Sequence, residues 1–215
     1  MGRRKRKTRN WVADKEKDVY TRQARQAGYR SRAVYKLGEI DERDRLFSGV
    51  RRVLDLGAAP GGWSQYALRK VGDDGLVVAV DVLAMEPIED VIFVHGDFTD
   101  PSVQQRLRQL VAPGAYDLVI SDMAPNITGI ADVDQARAAD LAESAVVFAE
   151  RFLTQNGHLL VKVFEGSEAA RIRKRGESMF RSCSVRKPEA SRDRSREFYL
   201  LMKQPRAERA ACSGP

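Results

Sequence analysis

Residues 53–66, VLDLGAAPGGWSQY, restrict the fold of this chain more than any other stretch. An apolar run of Val53, Leu54 and Leu56 ends in a glycine-rich turn, and the turn opens into a segment of helical character. This is the pattern of the first strand, loop and helix of a nucleotide-binding α/β fold. Gly57, Gly61 and Gly62 allow the backbone to bend sharply and to approach a ligand with no side chain in the way, at the strand's carboxyl end where such folds bind. Asp55 lies in the strand just before the turn.

Spacing narrows the ligand. A dinucleotide fingerprint started at Gly57 requires glycine where the chain has Ala59, and Pro60 stiffens a loop that would have to cradle a pyrophosphate. A P-loop requires lysine followed by serine or threonine, and Gly62-Trp63-Ser64 has none. S-adenosylmethionine is the remaining candidate, since it carries a sulfonium charge, an amino-acid end and an adenosine end but no phosphate. A tight strand-to-helix turn that binds nothing is the competing reading of the loop alone.

At 215 residues the chain has the size of one α/β domain with appendages. The expected division is a basic arm and helix over residues 1–27, a main domain over 28–203 and a disordered tail over 204–215. Cys183 and Cys212 are too far apart for a CxxC clip, so neither a disulfide framework nor a zinc site is expected. Trp11-Val12-Ala13 is followed by charges where a signal peptide requires an apolar stretch, and no run has membrane-spanning length. These features predict a soluble, cytoplasmic, metal-free protein.

The net charge of +7 conceals segregation. Residues 1–52 carry seventeen Lys and Arg against seven Asp and Glu, residues 53–165 seven against seventeen, and residues 166–215 thirteen against six. A single charge run is usually a solvated face. Two basic flanks around an acidic middle instead create a field that steers a polyanion onto the face they share.

In chain order, MGRRKRKTRN lacks an apolar period and is expected to be mobile. Asp14–Ala27 reads as a helix stopped by Gly28. Ser31 is a good N-cap for a helix over Arg32–Arg43, with Val34, Leu37 and Ile40 on one face and Lys36 beside it. Alone, Lys36 reads as a surface lysine. Gly75–Asp81 is the second predicted strand, and its terminal carboxylate stands about twenty residues past the glycine turn, where it can accept both hydroxyls of a ribose. Val91–His95 is the third; Asp97 beyond it can accept an adenine amino group or simply close a turn, and His95 reads as a packed strand-end residue. Tyr116–Ser121 is the fourth and runs into Asp122-Met123-Ala124-Pro125, where Pro125 keeps the chain extended. A long helix is expected over Asp132–Leu153, stopped by Gly157, before a fifth strand His158–Phe164. Lys162 sits in that strand among apolar neighbours, so it must find a partner, lower its pKa or escape to water at the strand end. A helix near Glu168–Phe180, a strand near Ser182–Lys187, a charged turn Ser191–Arg196 and a last strand Glu197–Met202 complete the pattern.

Two strands in succession at the end suggest a mostly parallel seven-stranded sheet, helices on both faces, with its last strand antiparallel. The stretches SRAVYKL, DLGAAPGGWSQY, SDMAPN, VKVF and RKPEASRDRSREFY closely resemble those of the FtsJ (RrmJ, RlmE) family of ribosomal RNA 2′-O-ribose methyltransferases, over about residues 28–202. The resemblance implies the Rossmann-like S-adenosylmethionine-dependent methyltransferase fold. It also implies a uridine ribose of large-subunit ribosomal RNA as substrate, S-adenosylhomocysteine as product and a monomeric enzyme. It further implies cofactor contacts from Gly61, Trp63, Asp81, Asp97 and Asp122, and a catalytic set of Lys36, Asp122, Lys162 and Glu197.

Methyl transfer to an alcohol requires alignment and removal of a proton from a weak acid, and Lys162 is the candidate base. Burial and the charge of Lys36 would favour its neutral form, whereas Asp122 and Glu197 would oppose this, and a purely orienting Lys162 is the alternative. A non-catalytic RNA-binding assembly factor would have no need of the four residues together. A small-molecule O-methyltransferase would leave the basic flanks unexplained. Methylation of another RNA, such as transfer RNA, is the nearer alternative.

Overall fold

Strand alternation divides the protein into two apolar layers, one on each face of a single sheet. The computed structural model describes residues 19–111, 115–125, 128–191 and 195–206, and the expected basic arm and all but three residues of the expected tail lie outside them. The elements are α1 (residues 19–26), α2 (Val34–Asp44), β1 (Arg52–Leu56), α3 (Gly62–Val71), β2 (Leu76–Asp81), β3 (Val91–His95), α4 (Pro101–Gln109), β4 (Tyr116–Ser121), α5 (Ala131–Phe152), β5 (Leu153–Phe164), α6 (Ser167–Met179), β6 (Phe180–Arg186) and β7 (Glu197–Pro205). The seven strands are ordered β3-β2-β1-β4-β5-β7-β6. The first five run parallel, and β7 is antiparallel to both β5 and β6. The expected sheet is therefore present.

Leu118, Ile120, Leu160, Tyr199 and Leu201 point to one face, where they pack with Leu37 and Ile40 of α2 and Trp63 and Ala67 of α3. Val119, Leu159, Val161, Val163 and Leu200 point to the other, against α5 and Ile172 of α6. Period-two alternation continues these rows past the last apolar residue. Asp122 extends the 118–120 row, Lys162 the 160 row and Glu197 the 201–199 row. All three thus emerge on the α2 side.

Several boundaries differ from expectation. Helix α2 begins at Val34, and Ser31 instead closes a turn ahead of it by accepting the Ala33 N–H at 3.1 Å. Sequence reading passed over α4, although Asp100 caps it through the Ser102 N–H at 2.7 Å and Pro101 occupies its first turn. Gly157 does not stop α5, which ends at Phe152 and passes directly into β5. The register then shifts, with Tyr116 opposite Leu153 but Leu118 opposite His158, so the extra residues fold back over Leu153. A Cβ on Gly157 would lie 2.9 Å from Leu153 Cδ2, which accounts for the glycine there. Strand β7 also continues through Gln204 and Pro205, into the expected tail.

Candidate active site

Strands β1 and β4 are neighbours in the sheet but feed helices on opposite faces, which opens a crevice at their carboxyl ends. A cavity of about 320 Å³ lies there. It is lined by the ends of four adjacent strands: Asp97 and Phe98 after β3, Asp81, Val82 and Leu83 at β2, Gly57 and Ala59 after β1, and Asp122 and Met123 after β4, with Leu141 of α5. Both oxygens of Asp81 already accept loop N–H groups, from Ala59 at 2.8 Å and Leu83 at 2.8 Å. A carboxylate has about four lone-pair sites, so two remain for a ligand. One oxygen of Asp97 accepts the N–H and hydroxyl of Thr99, which is the turn reading of this residue, and Asp97 also lines the cavity. His95 is exposed, and its Nε2 lies 2.9 Å from the Val82 carbonyl.

The glycines serve protein packing more directly than the sequence suggested. Gly57 has φ +75°, and a Cβ there would fall 2.3 Å from Met123 Cγ. Gly61 has φ +108°, and a Cβ would meet Ile88 and Met85 within 3 Å. The loop is thus locked between the β4 and β2 connections. Gly61 is the N-cap of α3 without a side-chain cap bond. The Trp63 side chain, 4% exposed, is turned away from the cavity: its indole donates to the Ala33 carbonyl at 2.8 Å and its ring lies 5.7 Å from that of Tyr199. The Gly61 N–H already donates to the Ala58 carbonyl at 2.7 Å, whereas the backbone N–H of Trp63 belongs to the first helical turn, whose N–H groups an α-helix leaves without internal acceptors.

Beside this cavity, Lys36, Asp122, Lys162 and Glu197 form two joined ion pairs. Lys162 Nζ donates to the Asp122 carbonyl at 2.6 Å and lies 3.0 Å from Asp122 Oδ1. Lys36 Nζ donates to Glu197 Oε1. All four side chains are at least four-fifths buried. Antiparallel β7 explains the meeting: Glu197, its first residue, pairs with Phe164 at the carboxyl end of β5, and Tyr199 pairs with Lys162. Burial would raise the Glu197 carboxyl, but the hydrogen bond and charge of Lys36, with the charge of Lys162, hold it below the usual range.

Tyr199 escaped the sequence reading. It is fully buried, and its hydroxyl donates to Asp122 Oδ1 at 2.7 Å, the same oxygen that Lys162 approaches. Burial, then the nearby charges of Asp122 and Glu197, raise its phenol well above the usual range, so it acts as a neutral donor. Its position opposite Lys162 could have been read from strand pairing alone. Asp55, noted in sequence without a role, is 1% exposed and accepts the Ser64 hydroxyl at 2.7 Å. Burial pushes its carboxyl up to about 7 against the opposing Ser64 bond, with Asp122 and Asp81 adding to the rise.

The profile of FtsJ-like methyltransferases matches residues 29–205. This chain belongs to the FtsJ-like methyltransferase family. It is 51% identical over 199 residues to the ribosomal RNA large subunit methyltransferase E of Azoarcus sp. (strain BH72), covering 93% of this chain and 97% of that protein. Its identity to the protein of the same name from Dechloromonas aromatica (strain RCB) is 47%, over the same shares. A crystal structure from Plasmodium falciparum described as a ribosomal RNA methyltransferase superposes with a TM-score of 0.74 at 28% identity, over 82% of this chain and 98% of that one. Aeropyrum pernix fibrillarin, solved with S-adenosylmethionine, shares the fold at 18% identity and a TM-score of 0.52, over 71% of this chain and 66% of that one. The protein is therefore a methyltransferase of Rossmann-like architecture.

The cavity suits S-adenosylmethionine by its donor set. Three carboxylates, Asp81, Asp97 and Asp122, favour a cationic ligand with hydroxyls and would repel a phosphate, and Val82, Leu83, Phe98 and Leu141 supply apolar surface. Among the described residues, no group of His, Cys, Asp and Glu is placed to hold a metal ion, and no helix is long and apolar enough to cross a membrane.

Proposed function

We propose that the protein methylates the 2′-hydroxyl of a uridine ribose in large-subunit (23S) ribosomal RNA, using S-adenosylmethionine. The observation that carries this reading is the buried Lys36–Glu197 and Lys162–Asp122 assembly bordering a carboxylate-lined cavity at the sheet's switch point. The names of its relatives supply the RNA.

S-adenosylmethionine supplies an electrophilic methyl group on a sulfonium. Asp81 would hold the ribose hydroxyls of this cofactor, Asp97 its adenine amino group, and the backbone N–H of Trp63 its carboxylate, with Gly61 shaping the turn that presents it. Lys162 is the candidate base that takes the proton of the target hydroxyl. Asp122 fixes the amine through two oxygens, and Lys36 with Glu197 closes the opposite side. Lys162 Nζ already acts as a donor to Asp122, which supports a second role in which it donates to the hydroxyl oxygen and orients it.

Cytoplasmic action on ribosomal RNA follows from this reading. Six basic residues in the first ten, with no acid, would neutralise phosphates without specifying any base. Deleting residues 2–10 should reduce the salt dependence of RNA binding by roughly 0.7–0.9 in log–log slope for each phosphate that the arm neutralises. An unchanged slope would remove the arm from the RNA site. The reaction itself is tested with labelled cofactor and large-subunit RNA carrying either a ribose or a 2′-deoxyribose at the modified position. Label should enter only the former. Label in the deoxy substrate would mean that a base atom is the acceptor.

A further inference from the structure

Helix α2 presents Lys36 to the site; Asp41 ties it to Tyr66 and Lys70 of α3, while Asp44 and Glu39 tie it to the end of β6 and to the β6–β7 connection. Asp44 holds Arg186 through two bonds of 2.6 Å, one to each oxygen. Arg32 donates to the Ala190 carbonyl at 2.8 Å. Glu39, between them, accepts the N–H of Glu189 at 2.6 Å on one oxygen and that of Ala190 at 3.0 Å on the other. Two successive backbone N–H groups turned toward one anion form a concave binding feature usually offered to a ligand. Here the anion is a side chain, about 150 residues away in sequence.

Glu39 is out of place by charge. It stands in a flank of net +10, where a free carboxylate would oppose the attraction of a polyanion. Its partners explain its presence. The segment it grips is packed, with Ala190 1% and Ser191 9% exposed, and the connection ends in Glu197, the partner of Lys36. That connection also carries Lys187, Arg192, Arg194 and Arg196 in sequence. Lys36 and Glu39 are neighbours on one face of α2, so one helix holds both ends of the segment.

Resting on the proposed RNA reaction, we infer that Glu39 is a positioning residue for substrate: it seats residues 188–191 on α2, and so positions the start of a segment whose sequence is basic and which leads into Glu197. It touches neither cofactor nor reacting atoms. Its contribution is therefore to RNA engagement rather than to cofactor binding.

The test compares Glu39→Gln, which keeps one acceptor oxygen but turns an amide NH₂ toward the other N–H, with Asp44→Asn, which loosens a tie at the far end of the same helix. Glu39→Gln should raise the KM for RNA about tenfold, the scale of one charged hydrogen bond. Cofactor affinity by calorimetry should stay within about twofold, and the amides of Glu189 and Ala190 should lose protection in hydrogen exchange. Asp44→Asn should lower the melting temperature while leaving the RNA KM near wild type. Unchanged exchange and RNA KM in Glu39→Gln would overturn the inference. So would parallel losses of cofactor and RNA binding, or an equal KM rise in Asp44→Asn, because each points to general docking of α2. Exchange is read on the protein alone, so it reports on Glu39 even if wild type fails to methylate RNA and the underlying reading falls.

Discussion

The two halves of the site handle buried charge in opposite ways. In the Lys36–Asp122–Lys162–Glu197 half, both carboxylates have a lysine partner, and Glu197 is held below the usual carboxylate range. Beneath the cofactor half, Asp55 has a serine hydroxyl as partner, two further carboxylates add to its burden, and its carboxyl is pushed up to about 7. One half is built from side chains that satisfy each other. The other is built from backbone and carboxylates whose remaining acceptors suit a cation. In a paired set, mutual attraction offsets part of the desolvation cost and loss of one partner leaves a buried charge uncompensated, whereas an unpaired set destabilises the fold until a ligand of the right charge arrives.

The sharpest way to break this contrast is Lys162→Ala. A residue acting in the transition state should affect turnover and spare ground-state binding. Loss of roughly 10²–10⁴-fold in kcat is expected, as for removal of a general acid or base. Cofactor affinity by calorimetry should stay within about threefold. A variant that turns over normally would remove Lys162 from the chemistry and leave the paired half as scaffold.

Next in size is the pH dependence of stability that Asp55 imposes. Its ordinary value is 3.8 and its folded value about 7, so between these pH values the native state holds a proton that the unfolded chain has released. Stability contributed by this group is present below about 3.8 and is lost as pH rises toward 7, at up to about 1.4 kcal/mol per pH unit. Asp55→Asn keeps an acceptor for Ser64 and removes the slope. Melting curves at pH 5 and pH 8 should show the variant gaining on wild type as pH rises. A constant difference would mean that Asp55 is ionised throughout, with a cation close by.

How far this contrast was legible in sequence depends on which backbone rule carried each residue. Asp81 stands at a strand end at a fixed distance past the glycine turn, so that pattern located it; Asp122 and Glu197 also stand at strand ends, but their roles came from the family resemblance. The parallel order with an antiparallel last strand followed from helix–strand alternation. The fault lines lie where long-range packing overrides local signals. Gly157 looks like a helix stop but is a bulge folded over Leu153. Trp63 stands among the cofactor contacts that the resemblance implies, yet its indole is claimed by the Ala33 carbonyl. Ser31 looks like a cap, but the chain is still turning at Ala33. Glu39 gave no signal, because its partners are main-chain N–H groups, which are identical at every non-proline residue.

The cofactor half should respond to Asp81→Ala with a smaller loss of another kind. Removing a charged acceptor costs roughly 1.5–3 kcal/mol, or about tenfold to a hundredfold in affinity. Part of that loss is indirect here, because the Ala59 and Leu83 N–H groups are also left without their acceptor. Asp81→Asn, which restores one acceptor, should recover some of the affinity. RNA binding should not change. Unaltered calorimetric affinity in Asp81→Ala would move the cofactor out of this cavity.

The mildest test falls on the seam between the halves. Tyr199→Phe deletes one hydroxyl and keeps the ring against Trp63, so the core packing should not change. The deleted bond ends on Asp122 Oδ1, which Lys162 also approaches, so Asp122 would then be located by Lys162 alone. Loss of a bond to a charged acceptor predicts a fall in kcat of about tenfold, the low end for such bonds. If Tyr199 acts by aiming Asp122 at Lys162, adding Lys162→Ala to Tyr199→Phe should cost nothing beyond Lys162→Ala itself. Additive losses would instead mean that the phenol touches substrate directly. In that case the paired half would extend one residue further along β7 than its four charges define.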